Sequence, residues 1–225
     1  MIKRIDPNHP VITVVADFDE AKISAIKNYC PSLDALGVNA YGSLPTVPQR
    51  LEAYGWDKPY LITEGGPRGP WETIKTPWGA PIEPSSTAKA YDYLNGFQAA
   101  MQSQTGQCLG GYMYFWGVQP NMVNTHTWYE SFVPGNEERL AAVDAMTLLW
   151  TGKVAPNRAP EILAYGTDVL MANVQPNIRC QAFVEALDPD GDAISVTWEI
   201  RHESTVDVGP IPPEAAVEME QNGTR

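Results

Sequence analysis

Cysteine is scarce in this 225-residue chain: Cys30, Cys108 and Cys180 are odd in number and form no CxxC pair. No Cys/His spacing fits a zinc site, so neither a disulfide scaffold nor a metal finger is expected, and no metal or cofactor is called for. Long apolar runs are also missing. None approaches the ~20 residues that span a bilayer. The opening MIKRIDPNHP lacks the apolar stretch of a signal peptide. Basic residues are outnumbered, 15 against 27 acidic, for a net charge of −12 and a pI near 4.6. A surface of that sign repels phosphate backbones and argues against a nucleic-acid partner. It suits a neutral ligand such as a sugar without selecting one.

What is abundant is apolar and aromatic. Hydrophobic residues make up 44%, with seven Trp and ten Tyr, a globular composition. The first 150 residues alternate between strand-like and helix-like stretches. VITVVAD (11–17) is a short β-branched run, followed by a helical segment over 20–29 that stops before Pro31. ALGVNAY (35–41) is a second strand, followed by a Pro-bounded helix over 47–54. PYLITEGG (59–66) is a third strand, ending in two glycines. A long loop rich in Pro, Gly and Trp runs to about Pro84. Ser85, Ser86 and Thr87 then cap a helix reaching about Gln104. GGYMYFWG (110–117) is a fourth strand, and Asn136 opens a last helix that ends at Gly152.

Four βα units predict an α/β fold with a parallel sheet. Nearly continuous apolar strands imply that both sheet faces are covered. After Gly152 the texture changes. Residues 153–161 are Pro-rich and read as a linker. From Ile162 a two-residue alternation sets in, clearest at Ile194, Val196, Trp198 and Ile200, with the turn signal DPDGD just before it. That predicts the start of a β-sandwich, Ig-like or cadherin-like, over 162–225. Asp188, Asp190 and Asp192 also suggest a calcium loop. However, Gly stands at the fourth position rather than the sixth, which favours a plain turn. Asn222 begins a chance glycosylation sequon.

In parallel α/β folds the chemistry collects at the C-terminal ends of the strands. Those ends carry Asp17, then Asn39-Ala40-Tyr41-Gly42, then Thr63-Glu64-Gly65-Gly66, then Phe115-Trp116-Gly117. Glu64 is the sharpest signal, because a carboxylate closing an apolar strand is costly unless paired or used. It either serves chemistry, or caps a loop or pairs with Arg68. Tyr41 either hydrogen-bonds Glu64 or edges the core. Trp116 either offers a flat face to a sugar or packs inside. His126 and Trp128, in the loop NTHTWYE, either line a cleft or are merely solvated and packed. Trp71 and Trp78 lie in a loop of a length that is usually functional.

The motifs GVNAYGS, KPYLITEGG and GGYMYFWG, in that order, resemble the second half of the catalytic barrel of clan A glycoside hydrolases, especially family 2. The resemblance covers about two thirds of the chain. It implies that 1–152 is a partial (β/α)8 TIM barrel, strands five to eight, of a retaining O-glycosyl hydrolase acting on oligo- or polysaccharides. By resemblance Glu64 takes the place of the nucleophile, Tyr41 that of the phenol that hydrogen-bonds it, and Trp116 that of the platform under the reacting sugar. Asn39, His126, Trp128 and Trp71 are the further candidates for substrate contact. Such enzymes carry an acid/base Glu in an Asn-Glu pair at the fourth strand. The only such pair here, Asn136-Glu137, opens the last helix, so the acid/base is expected to be missing and the chain alone nearly inactive. The alternatives are a non-catalytic carbohydrate-binding or adhesion protein and a transglycosylase. A polysaccharide substrate places the full-length parent in an extracellular or periplasmic setting.

Overall fold

The computed structural model of the chain describes residues 2–101, 107–117, 128–133 and 138–198. After a single helical turn, α1 (Ile2–Ile5), strand β1 (Ile12–Ala16) leads into α2 (Glu20–Tyr29). Asp19 caps α2 by accepting the Lys22 amide at 2.8 Å. The helix stops at Cys30 because Pro31 disfavours helical geometry in the residue before it. Next come β2 (Ala35–Ala40), α3 (Val47–Ala53), β3 (Tyr60–Gly65), α4 (Ser86–Met101) and β4 (Cys108–Met113). The four strands form one parallel sheet in the order β1-β2-β3-β4. The chain divides into two compact units. The first holds Met1–Gly69 with Tyr91–Trp116, and so contains the whole sheet.

The core of this unit rests on glycines that let large side chains approach. A Cβ on Gly65 or Gly111 would collide with the Phe97 ring of α4, and one on Gly96 would stand 2.8 Å from Leu44 Cδ2. Tyr60 is buried, and its hydroxyl donates to the Ala100 carbonyl at 2.8 Å. β2 is buried almost throughout. The edge strand β1 is not: Ile12 and Val14 remain 41% and 49% exposed. The expectation that both faces of every strand are covered therefore fails at the edges. An edge strand has one neighbour, and here one of its faces lies open.

The second unit holds Pro70–Ala90 and the described residues from Gly117 onward. α5 (Ala141–Thr151) ends on Gly152, whose φ of 68° is the left-handed cap that glycine adopts without strain. This helix starts at Ala141, not at Asn136, and its N-cap residue Leu140 has no side chain able to cap it. Residues 134–137, including the Asn136-Glu137 pair, lie outside the described residues. Ser85 caps α4 by accepting the Ala88 amide at 3.2 Å. Ser86 and Thr87 accept the amides of Ala141 and Ile162 at 3.1 and 2.9 Å, tying together the starts of three elements. β5 (Glu161–Thr167) and β6 (Ala182–Leu187) pair antiparallel. The alternation from Ile194 to Trp198 forms no strand, and Ile200 lies outside the described residues. DPDGD is a turn in which the carboxylates of Asp188 and Asp190 are engaged. Asp188 accepts the amides of Asp190 and Asp192, and Asp190 pairs with Arg158 at 2.9 Å. Among the described residues no helix is long and apolar enough to cross a membrane.

Candidate active site

A regular β-strand sends alternate side chains to opposite faces. In β3, Ile62 faces the α4 side, beside Phe97. Unbroken alternation would send Glu64 the same way, into the core. The pairing prevents this. Val38 lies opposite Ile62, but the next residue of β2, Asn39, lies opposite Glu64. β3 thus carries one extra residue, Thr63. Such a bulge bends the strand and re-aims the side chains that follow it. The alternation is reset, and Gly65 is the next residue to meet Phe97.

Glu64 then meets Tyr41, which stands one residue past the end of β2. The Tyr41 hydroxyl donates to Glu64 Oε2 at 2.7 Å. Both side chains are half-buried. The Tyr41 ring is clamped from two sides. Tyr114 packs against it edge to face, with centroids 5.9 Å apart at 81°. On the other side is Gly66, where a Cβ would stand 2.7 Å from Tyr41 Cδ1. The backbone around the clamp is bonded: the Tyr114 amide donates to the Gly65 carbonyl at 2.7 Å, and the Tyr93 hydroxyl donates to the Tyr114 carbonyl. The two glycines after Glu64 therefore do separate jobs. Gly65 admits Phe97 of α4, and Gly66 admits the Tyr41 ring.

Two carboxylates stand at strand ends, Asp17 after β1 and Glu64 in β3 with β2 between them, and their surroundings differ. Asp17 forms an ion pair with Arg50 at 2.8 Å, and Arg50 also donates to the Phe18 carbonyl and lies over the Phe18 ring. Glu64 forms no ion pair among the described residues. Arg68, the cation nearest in sequence, pairs with Asp92 at 3.0 Å. Glu64 is thus held by a phenol and, among the described residues, by no cation.

The other candidates divide. Asn39 faces away from Ile62 and accepts the Thr63 hydroxyl through Oδ1 at 2.6 Å. Trp116 lies three residues beyond β4, which ends at Met113 rather than running to Gly117, and it is 51% exposed. Trp71 and Trp78 belong to the second unit and are exposed. They sit on a loop closed by its own backbone bonds, such as Ile82 to Ile74 at 2.9 Å. Trp128 is only 1% exposed, so it is an interior side chain and not a cleft wall. An indole excludes water best when fully packed, and this one is. His126 lies outside the described residues. Arg50 escaped the sequence reading, and Thr63 and Gly66 stood there as strand-end residues without a role. The one available hint was a hydroxyl, Thr63, closing the apolar run just before the carboxylate.

No family model and no curated protein matches the chain. Among solved structures it is similar to a GH39 beta-xylosidase from Caulobacter crescentus, with 17% identity and a TM-score of 0.43, over 70% of this chain and 36% of that one. It is also similar to a monomeric beta-xylosidase from Caulobacter crescentus CB15, with 16% identity and a TM-score of 0.42, over 66% and 34%. The chain spans about a third of the length of each of these structures.

Proposed function

We propose that this chain carries the nucleophile side of a retaining glycoside hydrolase site, with Glu64 as the nucleophile and a carbohydrate as substrate. The observation that carries this reading is the 2.7 Å hydrogen bond from Tyr41 to a carboxylate that has no cationic partner among the described residues. Tyr41 holds Oε2, which leaves Oε1 as the attacking oxygen. Oε1 bonds to the anomeric carbon as the bond from that carbon to the leaving oxygen breaks, and the leaving group departs with the electron pair. The product is a glycosyl ester of Glu64, which water then hydrolyses. Trp116 supplies an apolar face for the sugar's C–H groups. The reading includes the domain arrangement expected from sequence: strands five to eight of a barrel over 1–152, a linker over 153–161 and an Ig-like portion from 162.

The mechanism also needs a second carboxyl ~5–5.5 Å from the first. The reading assigns none to this chain, so the test must bypass it. Dinitrophenyl β-glycosides of glucose, xylose, galactose and mannose have a leaving group that departs without protonation. The full chain is expected to release a burst of about one dinitrophenolate per molecule, since a covalent intermediate accumulates. Mass spectrometry should find the sugar on the peptide containing Glu64. The burst should vanish in Glu64→Gln. A burst that survives in that variant, or a sugar found on another residue, sinks the reading.

A further inference from the structure

We propose that Thr63 is a positioning residue: as the extra residue of the bulge, it orients the Asn39 amide so that Nδ2 donates to a hydroxyl oxygen of the sugar bound at Glu64. The inference rests on the reading of Glu64 as nucleophile and adds to it a means of recognising one substrate hydroxyl. Both ends of the Thr63 side chain are fixed. Its methyl sits over Gly37, where an added Cβ would stand 2.9 Å from Thr63 Cγ2 and 2.8 Å from Val14 Cγ2. Its hydroxyl donates to Asn39 Oδ1 at 2.6 Å. A β-branched side chain held at both branches has one rotamer.

The consequence for Asn39 is chemical. The Thr63 hydroxyl fixes which end of the amide faces it and takes one of the two lone pairs of Oδ1, so the two Nδ2 donors are the end presented to other partners. Among the described residues no acceptor engages them. Because of the bulge, Asn39 lies directly opposite Glu64. Neighbouring strands run ~4.8 Å apart, so the amide and the carboxylate reach the same level of the sheet within one sugar ring's reach. An amide held donor-first there donates to a hydroxyl oxygen and discriminates against a sugar that lacks it. Were Thr63 to serve only as a stitch between β2 and β3, removing its hydroxyl would loosen the sheet without touching recognition.

The experiment compares Thr63→Val, Thr63→Ser, Asn39→Ala and the Thr63→Val/Asn39→Ala double variant in the full chain. The probe is the dinitrophenyl glycoside from the panel that gives the strongest burst. In Thr63→Val the concentration giving half the maximal burst rate should rise about tenfold, as expected for one lost hydrogen bond. The maximal rate should change little. Thr63→Ser, which keeps the hydroxyl, should stay within about twofold of wild type. Asn39→Ala should match Thr63→Val, and the double variant should be no worse, since residues acting as one unit are not additive. A Thr63→Val variant equal to wild type, a Thr63→Ser variant as weak as Thr63→Val, or a double variant with multiplied effects overturns the inference while leaving the burst and Glu64 standing. If the wild-type chain gives no burst, the reading of Glu64 falls, and the Asn39 side-chain amide resonances decide the present inference. They should shift when the methyl glycosides of the same sugars are added to wild type and Thr63→Ser but not to Thr63→Val. Any other pattern overturns it.

Discussion

Replacing Gly66 by alanine is the most direct challenge to the clamp around Tyr41. The new Cβ would stand 2.7 Å from Tyr41 Cδ1, 3.0 Å from Cε1 and 3.4 Å from the Tyr114 carbonyl oxygen. Carbon atoms settle at ~3.5–4.0 Å, so the ring must retreat by about 1 Å. It cannot retreat freely, because the Tyr114 ring packs against it. The hydroxyl, at the far end of the ring, swings further than Cδ1, enough to carry the 2.7 Å bond to Glu64 out of hydrogen-bonding range. A hydrogen bond to a charged group contributes roughly 1.5–3 kcal/mol, which corresponds to about 10- to 100-fold in the rate of sugar transfer to Glu64. Overpacking should also lower stability by about 1–3 kcal/mol. The assay is the dinitrophenolate burst rate alongside a urea melt, with Tyr41→Phe as comparator. Tyr41→Phe should lose similar rate but keep its stability, since it removes the hydroxyl without crowding the site. A wild-type burst rate in folded Gly66→Ala refutes the steric argument. A wild-type rate in Tyr41→Phe refutes the hold of Tyr41 on Glu64.

Three further outcomes follow from other parts of the molecule. Lys89 is buried and pairs with Glu83 at 2.6 Å; Glu83→Gln should cost about 1–3 kcal/mol in a urea melt by removing the charge-assisted bond of this buried pair, and Glu83→Gln with Lys89→Met should recover part of it. Burial raises the Cys108 thiol above its usual pKa, while Cys30 and Cys180 are exposed; iodoacetamide at pH 8 should modify Cys30 and Cys180 first and Cys108 last, as peptide mapping would show. Lys3 and the Val11 amide hold the Asp34 carboxyl below its usual range. A depressed folded-state pKa stabilises at pH values above the unfolded value of ~3.9 and ceases to as pH falls through the folded one. Asp34→Asn should therefore speed hydrogen exchange at Val11 relative to wild type at pH 7, and the difference should close well below pH 4.

The order of strands and helices in the first unit was legible because its signals are local. Pro31 marks the end of α2, and sequence reading and structure agree on Glu20–Tyr29. Where the signal was a bare apolar run, the boundaries slipped. GGYMYFWG contains no register information, and β4 begins and ends earlier than that run suggests. Asn136 is a good cap by residue type, yet the helix begins at Ala141. Alternation at 194–198 is a sound strand signal, but a strand also needs a partner. Those residues form none.

The amino-acid order alone placed a carboxylate at the close of an apolar strand, with a tyrosine closing the strand before it and two glycines behind. Which way that carboxylate faces was decided elsewhere. Strict alternation would bury Glu64 beside Ile62; the bulge at Thr63 turns it toward Tyr41 instead. A bulge is a mismatch between two strands, so it exists only once β2 and β3 have paired, and neither strand's own sequence contains it.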